Sequence, residues 1–303
     1  MTIDVLVIGA GIAGITAGIY LKRGNVKSLL LDKGAPGGKL NNIHRIDNYP
    51  GISSIPGPDL AMNLFNQASE LGVEFAYGSV VEVRRESDGF MVRTDVEEYS
   101  CKAIIVATGV ENKKLGIPGE DKYLGKGVSY CATCDGPFFK GKDVALIGNA
   151  DHAVEDGIYL AGVVNHLYFL YPEAIASTPS HYEELSSFPN VELIPIQKSL
   201  RIEGEEKVTA FVYEAEGQEK VLPVSSVFPL YGEKSSTAFL SPLGLSNDKG
   251  FLLVDEAMQT SCPGVYACGD IIAKKLRQLV NAAGEAAVAA TSVIGYVRSL
   301  AKK

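Results

Sequence analysis

Two cysteines spaced by two residues, Cys131 and Cys134 in "YCATCDG", carry the most chemistry of any stretch in the chain. That spacing allows a reversible disulfide at a turn or helix start, where the helix dipole favours a thiolate. Asp135, the next residue, is placed to move protons to and from the thiols. A zinc site would use the same two sulfurs, but it needs further ligands, and neither a second CxxC nor a His pair is present. No metal is expected. The same spacing also suits two structural cysteines that never pair. Cys101, Cys262 and Cys268 stand singly in apolar or strand-like stretches and read as inert, and His44, His152, His166 and His181 show no ligand spacing.

A redox disulfide needs an electron carrier. "GAGIAG" (Gly9, Ala10, Gly11, Ile12, Ala13, Gly14) follows the strand-like "IDVLVIG" and opens a helix-like run. The first glycine permits a tight turn, the second lets backbone approach a pyrophosphate, and the third allows close helix–strand packing. Asp32 ends the next strand and is placed to accept from a ribose hydroxyl. "IIVATG", with Ala107, Thr108 and Gly109, and "GVYACGD", with Gly269 and Asp270, are strand ends of small residues with a polar terminus. Contacts at both ends of the chain suit FAD better than the shorter NAD.

Around these residues, strand-like and helix-like segments alternate, with a second βαβ pattern starting at "DVALIG". The expected fold is α/β, with two Rossmann-like, three-layer ββα nucleotide-binding domains, the second inserted in the first. The boundaries read as 1–112 and 242–303 for the discontinuous domain and 113–241 for the insert. The chain has 303 residues, 46% of them hydrophobic and 21% charged, as in globular α/β proteins. A net charge of −8 argues against nucleic acid as a partner. The uncharged run 5–21 is broken by glycines and too short for a membrane span. No signal peptide is read at the start, and five cysteines with one functional pair suit a reducing cytoplasm.

Taken together, "GAGIAG", "GGKLNNIHRIDNYPG", "AIIVATGV", "YCATCDG", "VYACGD" and "RQLVNAAGEAAVAA" resemble the low-molecular-weight thioredoxin reductases over nearly the whole chain. The resemblance implies a homodimer with one FAD per subunit and thioredoxin as the substrate. It makes Cys134 the flavin-proximal sulfur, Cys131 the thiol that attacks thioredoxin, and Asp135 the proton-transfer acid. It also implies FAD contacts from the loop Gly9 to Gly14, from Asp32, Lys33, Gly37, Gly38, Lys39, Leu40, Asn48 and Val81, from Ala107, Thr108 and Gly109, and from Gly269, Asp270, Arg277, Gln278 and Leu279.

The chain departs from the family at its second nucleotide loop. Members that use NADPH carry a glycine triplet where this chain has Gly148, Asn149, Ala150 and Asp151. Ala150 puts a methyl where the pyrophosphate would lie. Asp151 is expected to satisfy the helix's free N–H groups itself and to repel phosphate. The family's arginine cluster is replaced by Tyr171, Pro172 and Glu173, and a downstream loop reads "YGEKSST". These changes resemble the ferredoxin-dependent flavin thioredoxin reductases, so ferredoxin is the expected donor. Glu173 keeps NADH use open, because an acid after that strand is what NAD sites employ. An oxygen-dependent dithiol oxidase and a flavin-bearing sensor would share the flavin and cysteine motifs. Ferredoxins are acidic, which calls for a local basic surface. Lys274, Lys275 and Arg277 are the first choice, then Lys113, Lys114, Lys122 and Lys126.

Overall fold

The computed structural model describes residues 3–43, 45–235 and 237–300. His44 and Ser236 lie outside the described residues. By internal contacts the chain divides into two compact units, Met1–Glu111 with Ser235–Lys303, and Asn112–Lys234. The second crossing therefore falls after Lys234, ahead of the 241 boundary read from sequence.

The first unit begins with β1 (Ile3–Ile8), apolar except for Asp4 and buried on both faces from Val5 onward as parallel strands are. It leads through Gly11 into α1 (Ile12–Arg23), then β2 (Ser28–Asp32) and α2 (Gly57–Glu70). Pro56 and Pro58 fix the start of α2, where a missing N–H costs nothing. β3 (Glu74–Tyr77), β4 (Val80–Glu86), β5 (Gly89–Thr94) and β6 (Glu98–Val106) follow. The chain leaves through β7 (Val110–Asn112).

In the second unit α3 (Ala132–Asp135) precedes β8 (Asp143–Ile147), α4 (Asp151–Ala161), β9 (His166–Tyr171), α5 (Pro179–Ser187) and β10 (Val191–Pro195). An antiparallel meander comes next, β11 (Lys198–Gly204), β12 (Val208–Ala215) and β13 (Gln218–Pro223). β14 (Ser226–Pro229) returns to the parallel sheet, and β15 (Glu233–Ser235) carries the chain out. The first unit is completed by β16 (Val265–Ala267) and α6 (Leu279–Leu300).

The order in the first sheet is β3-β2-β1-β6-β5-β4, with β16 parallel to the end of β6. β3, β2, β1 and β6 are parallel, while β4 and β5 form an antiparallel extension. Side chains alternate across it. Val5 and Val7 enter one core with α1, α2 and α6; Leu6 and Ile8 enter another with Phe90, Ile104 and Leu252. The apolar stripe of α6, Ala282, Ala286, Ala289, Ala290, Val293 and Val297, is small enough to let it pack closely on α1. In the second unit the order is β10-β9-β8-β14, all parallel. α4 and α5 cover one face and the meander the other, so each unit is a Rossmann-like α/β domain. No helix among the described residues is long and apolar enough to cross a membrane.

Candidate functional site

In the first unit Gly9 has φ +105°, and its α-carbon faces the Ala107 backbone too closely for a side chain. Gly14 abuts the Gly9 carbonyl in the same way, which brings α1 down onto β1. Gly11 has open space before it, and no side chain caps the first turn of α1. That turn presents N–H groups and positive dipole to an anion.

The residues implied by the resemblance converge on this loop. The Asp32 carboxylate accepts from the Ala10 N–H at 2.5 Å and the Gly34 N–H at 2.8 Å. Gly37 N–H donates to the Ala10 carbonyl at 2.7 Å, bringing up Gly38, Lys39 and the buried Leu40. Lys39 reaches the Asp270 carboxylate at 3.8 Å, and Asn48 donates to Gln278 at 3.1 Å just before Leu279 opens α6. Arg277 lies 4.6 Å over the Phe251 ring and donates to the Asp270 carbonyl at 3.4 Å. Gly269 packs against Ala13, beside the buried Ile12. The Thr108 hydroxyl is buried with no partner among the described residues, beside a cleft lined by Gly9, Asp32, Gly78, Val80 and Gly109. An unpartnered hydroxyl, an open glycine cradle and uncapped N–H groups fit the pyrophosphate and ribose of FAD.

Two residues sit differently from expectation. Val81 is exposed at a register shift in β4, and its neighbour Val80 lines the cleft. Lys33 turns to the surface and pairs with Glu111 at 2.9 Å. Glu285 belongs to this site with no sequence signal to mark it. It accepts from the Gly269 N–H, sixteen residues earlier in the chain, at 3.0 Å and from Lys274, eleven residues earlier, at 2.7 Å. Lys274, read from sequence as a surface cation, is consumed by this pair, with a side chain only 11% exposed. Lys275 is exposed there, flanked by the exposed Ala273 and Leu276.

In the second unit Cys131 and Cys134 form a disulfide. Cys131 is the N-cap of α3, and its sulfur accepts from the Cys134 N–H at 3.2 Å. Thr133 Oγ1 lies 3.5 Å from the same sulfur. An N–H aimed at Cys131 is placed to stabilise negative charge there once the bond opens. Asp135 ends α3, half-buried. Gly136 has no room for a side chain against Leu160 of α4, so the disulfide turn is seated on that helix. The free thiols of Cys101 and Cys268 are buried, and burial pushes both up to about 12.

At its N-terminus α4 carries the altered loop. Asp151 does not cap its own helix: Ala150 is the N-cap and no side chain bonds there. The Asp151 carboxylate instead accepts from the Ser177 hydroxyl at 2.6 Å and the Thr178 N–H at 3.1 Å, and meets His181 Nδ1 at 3.0 Å. Those bonds, Ser177 first, hold Asp151 well below the usual carboxylate range, and Asp151 in turn raises His181. Ala176 pairs with Ala150 as an isolated parallel bridge, its N–H donating to the Asn149 carbonyl at 2.6 Å. Asn149 also donates to Glu173 at 3.4 Å. The segment 173–181 is therefore strapped along the loop. No Lys or Arg occurs between Lys142 and Lys198, while Asp151, Glu155, Asp156 and Glu173 all do.

Residues 3–286 match the family described as pyridine nucleotide-disulphide oxidoreductase. The thioredoxin reductase of Listeria monocytogenes is 37% identical over 98% of this chain and 94% of its own. The crystal structure of a thioredoxin reductase from Streptococcus pyogenes superposes with a TM-score of 0.94 at 34% identity, covering 98% of this chain and 99% of that one. A ferredoxin-flavin thioredoxin reductase from Clostridium acetobutylicum gives a TM-score of 0.57 at 29% identity over the whole of both chains.

Proposed function

The chain belongs to the pyridine nucleotide-disulphide oxidoreductase family, in its thioredoxin reductase branch, and from that premise we propose that it takes its electrons from reduced ferredoxin rather than from NADPH. The enzyme is a flavoprotein disulfide oxidoreductase. When bound, FAD would supply the conversion of two single-electron deliveries, from two reduced ferredoxins, into the electron pair that the disulfide needs. Cys134 receives that pair, the S–S bond breaks, and two protons are taken up, one through Asp135. Cys131 then attacks the thioredoxin disulfide, and Cys134 resolves the mixed disulfide, releasing dithiol thioredoxin and restoring Cys131–Cys134. The working unit in this reading is a homodimer.

The single observation behind the donor assignment is the second nucleotide loop. Asp151 places a carboxylate in the first turn of α4, the strap 173–181 lies along it, no Lys or Arg lies between Lys142 and Lys198, and His181 is taken up by Asp151. A dinucleotide phosphate needs the helix N-terminus clear and a cation near it. The similarity to the Clostridium acetobutylicum protein supports the same reading. Pyridine-nucleotide use is the second reading. Glu173, just after the end of β9, is the observation in its favour, since an acid there holds the ribose of NAD. Steady-state reduction of thioredoxin decides between them. Turnover with chemically reduced ferredoxin and none with NADPH or NADH is expected; efficient NADPH turnover refutes the proposal.

A further inference from the structure

Glu120 is 2% exposed, and no other charged side chain among the described residues is buried so deeply. Its Oε1 accepts from the Leu115 N–H at 2.9 Å and from the Tyr130 hydroxyl at 2.7 Å. Its Oε2 accepts from the Gly116 N–H at 2.8 Å. Three donors thus converge on an acceptor-only group, which is the condition for burying a carboxylate at all. An apolar side chain here would leave the Leu115 and Gly116 N–H groups and the Tyr130 hydroxyl without their acceptor, so the carboxylate is tied to these three partners rather than to packing alone.

Its partners come from two functionally distinct stretches. Leu115 and Gly116 belong to the backbone that enters this unit after Asn112. Tyr130 immediately precedes Cys131. The rest of the cysteine turn is held locally: Ser129 N–H donates to Val227 of β14, and the Ser129 hydroxyl accepts from the Cys131 N–H at 3.1 Å. Tyr130 is the member of this turn whose side chain reaches the entering backbone through a bond to a carboxylate. Burial, and then the neighbouring Glu120, push its phenol far up, so it remains a donor at every working pH. Asp121 also acts on Tyr130, and it pairs with Lys114 at 2.6 Å.

We propose that Glu120 and Tyr130 are a positioning pair for the redox thiol, tying the residue before Cys131 to the entering backbone so that the Cys131 sulfur stays on the Cys134 N–H when the disulfide opens. Neither residue touches the reacting atoms. Their effect passes through the placement of Cys131, where loss of one aligned N–H weakens the support for a thiolate. The proposal rests on the redox role of Cys131 and Cys134 and is independent of the electron donor.

The test is thiol alkylation of the FAD-loaded protein. Dithiothreitol reduces the disulfide by exchange, is removed, and iodoacetamide is added across a pH series, with Cys131 followed by peptide mass. Tyr130→Phe removes only the hydroxyl; Glu120→Gln keeps the shape but turns a donor toward a donor. In Tyr130→Phe the midpoint of Cys131 alkylation is expected to move to higher pH, with the rate at neutral pH falling severalfold and FAD content unchanged. Glu120→Gln should move it the same way, and the double variant no further than the larger single, as for residues acting through one link. A wild-type pH profile in Tyr130→Phe overturns the proposal, as do single shifts that simply add. If Glu120→Gln does not fold, Tyr130→Phe decides alone. Because dithiothreitol is the reductant, failure of the ferredoxin reading leaves this outcome untouched.

Discussion

Asp151 and His181 meet at 3.0 Å, joining the first turn of α4 to α5 and fastening the strap that runs along the second nucleotide loop. This contact gives the strap a pH dependence whose sign can be worked out. His181 is raised above its usual 6.5 by Asp151, so its contribution is complete below that value and is lost as pH rises through the higher, folded one. Asp151 is lowered from 3.8, so its contribution is present above that value and fades only in stronger acid. The pair is therefore fully formed in the mildly acidic range. Thermal unfolding of His181→Gln and wild type should differ most there and converge on the alkaline side. A difference that stays constant across that range would show that the contact is not an ion pair.

Restoring pyridine-nucleotide use should take several substitutions. Asp151→Asn removes the carboxylate but also weakens the bonds from Ser177, the Thr178 N–H and His181. Lower unfolding temperature and no NADPH turnover are expected, even when Ala150→Gly is added. Activity should appear only when arginines also replace residues near Tyr171 and Glu173, read by NADPH consumption with thioredoxin. Turnover in the double variant alone would show that the loop, not the missing cations, is the barrier.

The two sulfurs should behave differently in trapping experiments. Cys134→Ser leaves Cys131 free to attack a thioredoxin that lacks its resolving cysteine and carries its remaining cysteine as a thionitrobenzoate mixed disulfide; thionitrobenzoate leaves, and the protein–protein disulfide that forms is stable on a non-reducing gel. Cys131→Ser should give little or none. The reverse pattern would exchange the two roles.

Lys274 and Lys275 are adjacent but call for opposite outcomes. Lys274 is nearly buried against Glu285, so Lys274→Glu sets two carboxylates together and should cost ~3 kcal/mol or more, with loss of FAD. Lys275 is exposed, and Lys275→Glu should leave stability and FAD content alone. It should slow flavin reduction by ferredoxin at low ionic strength, with the difference shrinking as salt is added. Equal rates at every ionic strength would move the docking surface elsewhere.

Thr108→Val tests the fit of FAD in the first unit. The buried hydroxyl finds no partner among the described residues. Losing a hydrogen bond to the cofactor should weaken FAD retention by about 1 kcal/mol, or roughly fivefold. Fluorescence of released FAD on dilution reads this directly, and unchanged retention would place that hydroxyl outside the contact.

Much of this architecture is legible in the sequence because local signals carry it. Gly9, Gly11, Gly14 and Asp32 lie within one βαβ unit, and the disulfide closes over three residues, so spacing alone brings each group together. Long-range pairings are not legible. Nothing in sequence links Glu285 to Lys274, or Glu120 to Tyr130, because each contact depends on how helix ends and turns pack. The role of Asp151 departs from expectation for the same reason. Its place in the first turn of a helix suggests capping, yet the strap supplies stronger donors, Ser177 and the Thr178 N–H, from outside the helix. Val81 is displaced by a bulge, a feature with no local signature in "VVEVRR".

The central claim is that ferredoxin, and no pyridine nucleotide, fills the flavin. It is tested most directly by mixing the FAD-loaded protein anaerobically with NADPH, with NADH and with reduced ferredoxin, and following flavin absorbance. Bleaching by ferredoxin, followed by two thiols titrating at Cys131 and Cys134, is the expected result, with both nucleotides leaving the spectrum unchanged. Rapid bleaching by NADPH or NADH, or none by ferredoxin, would contradict it.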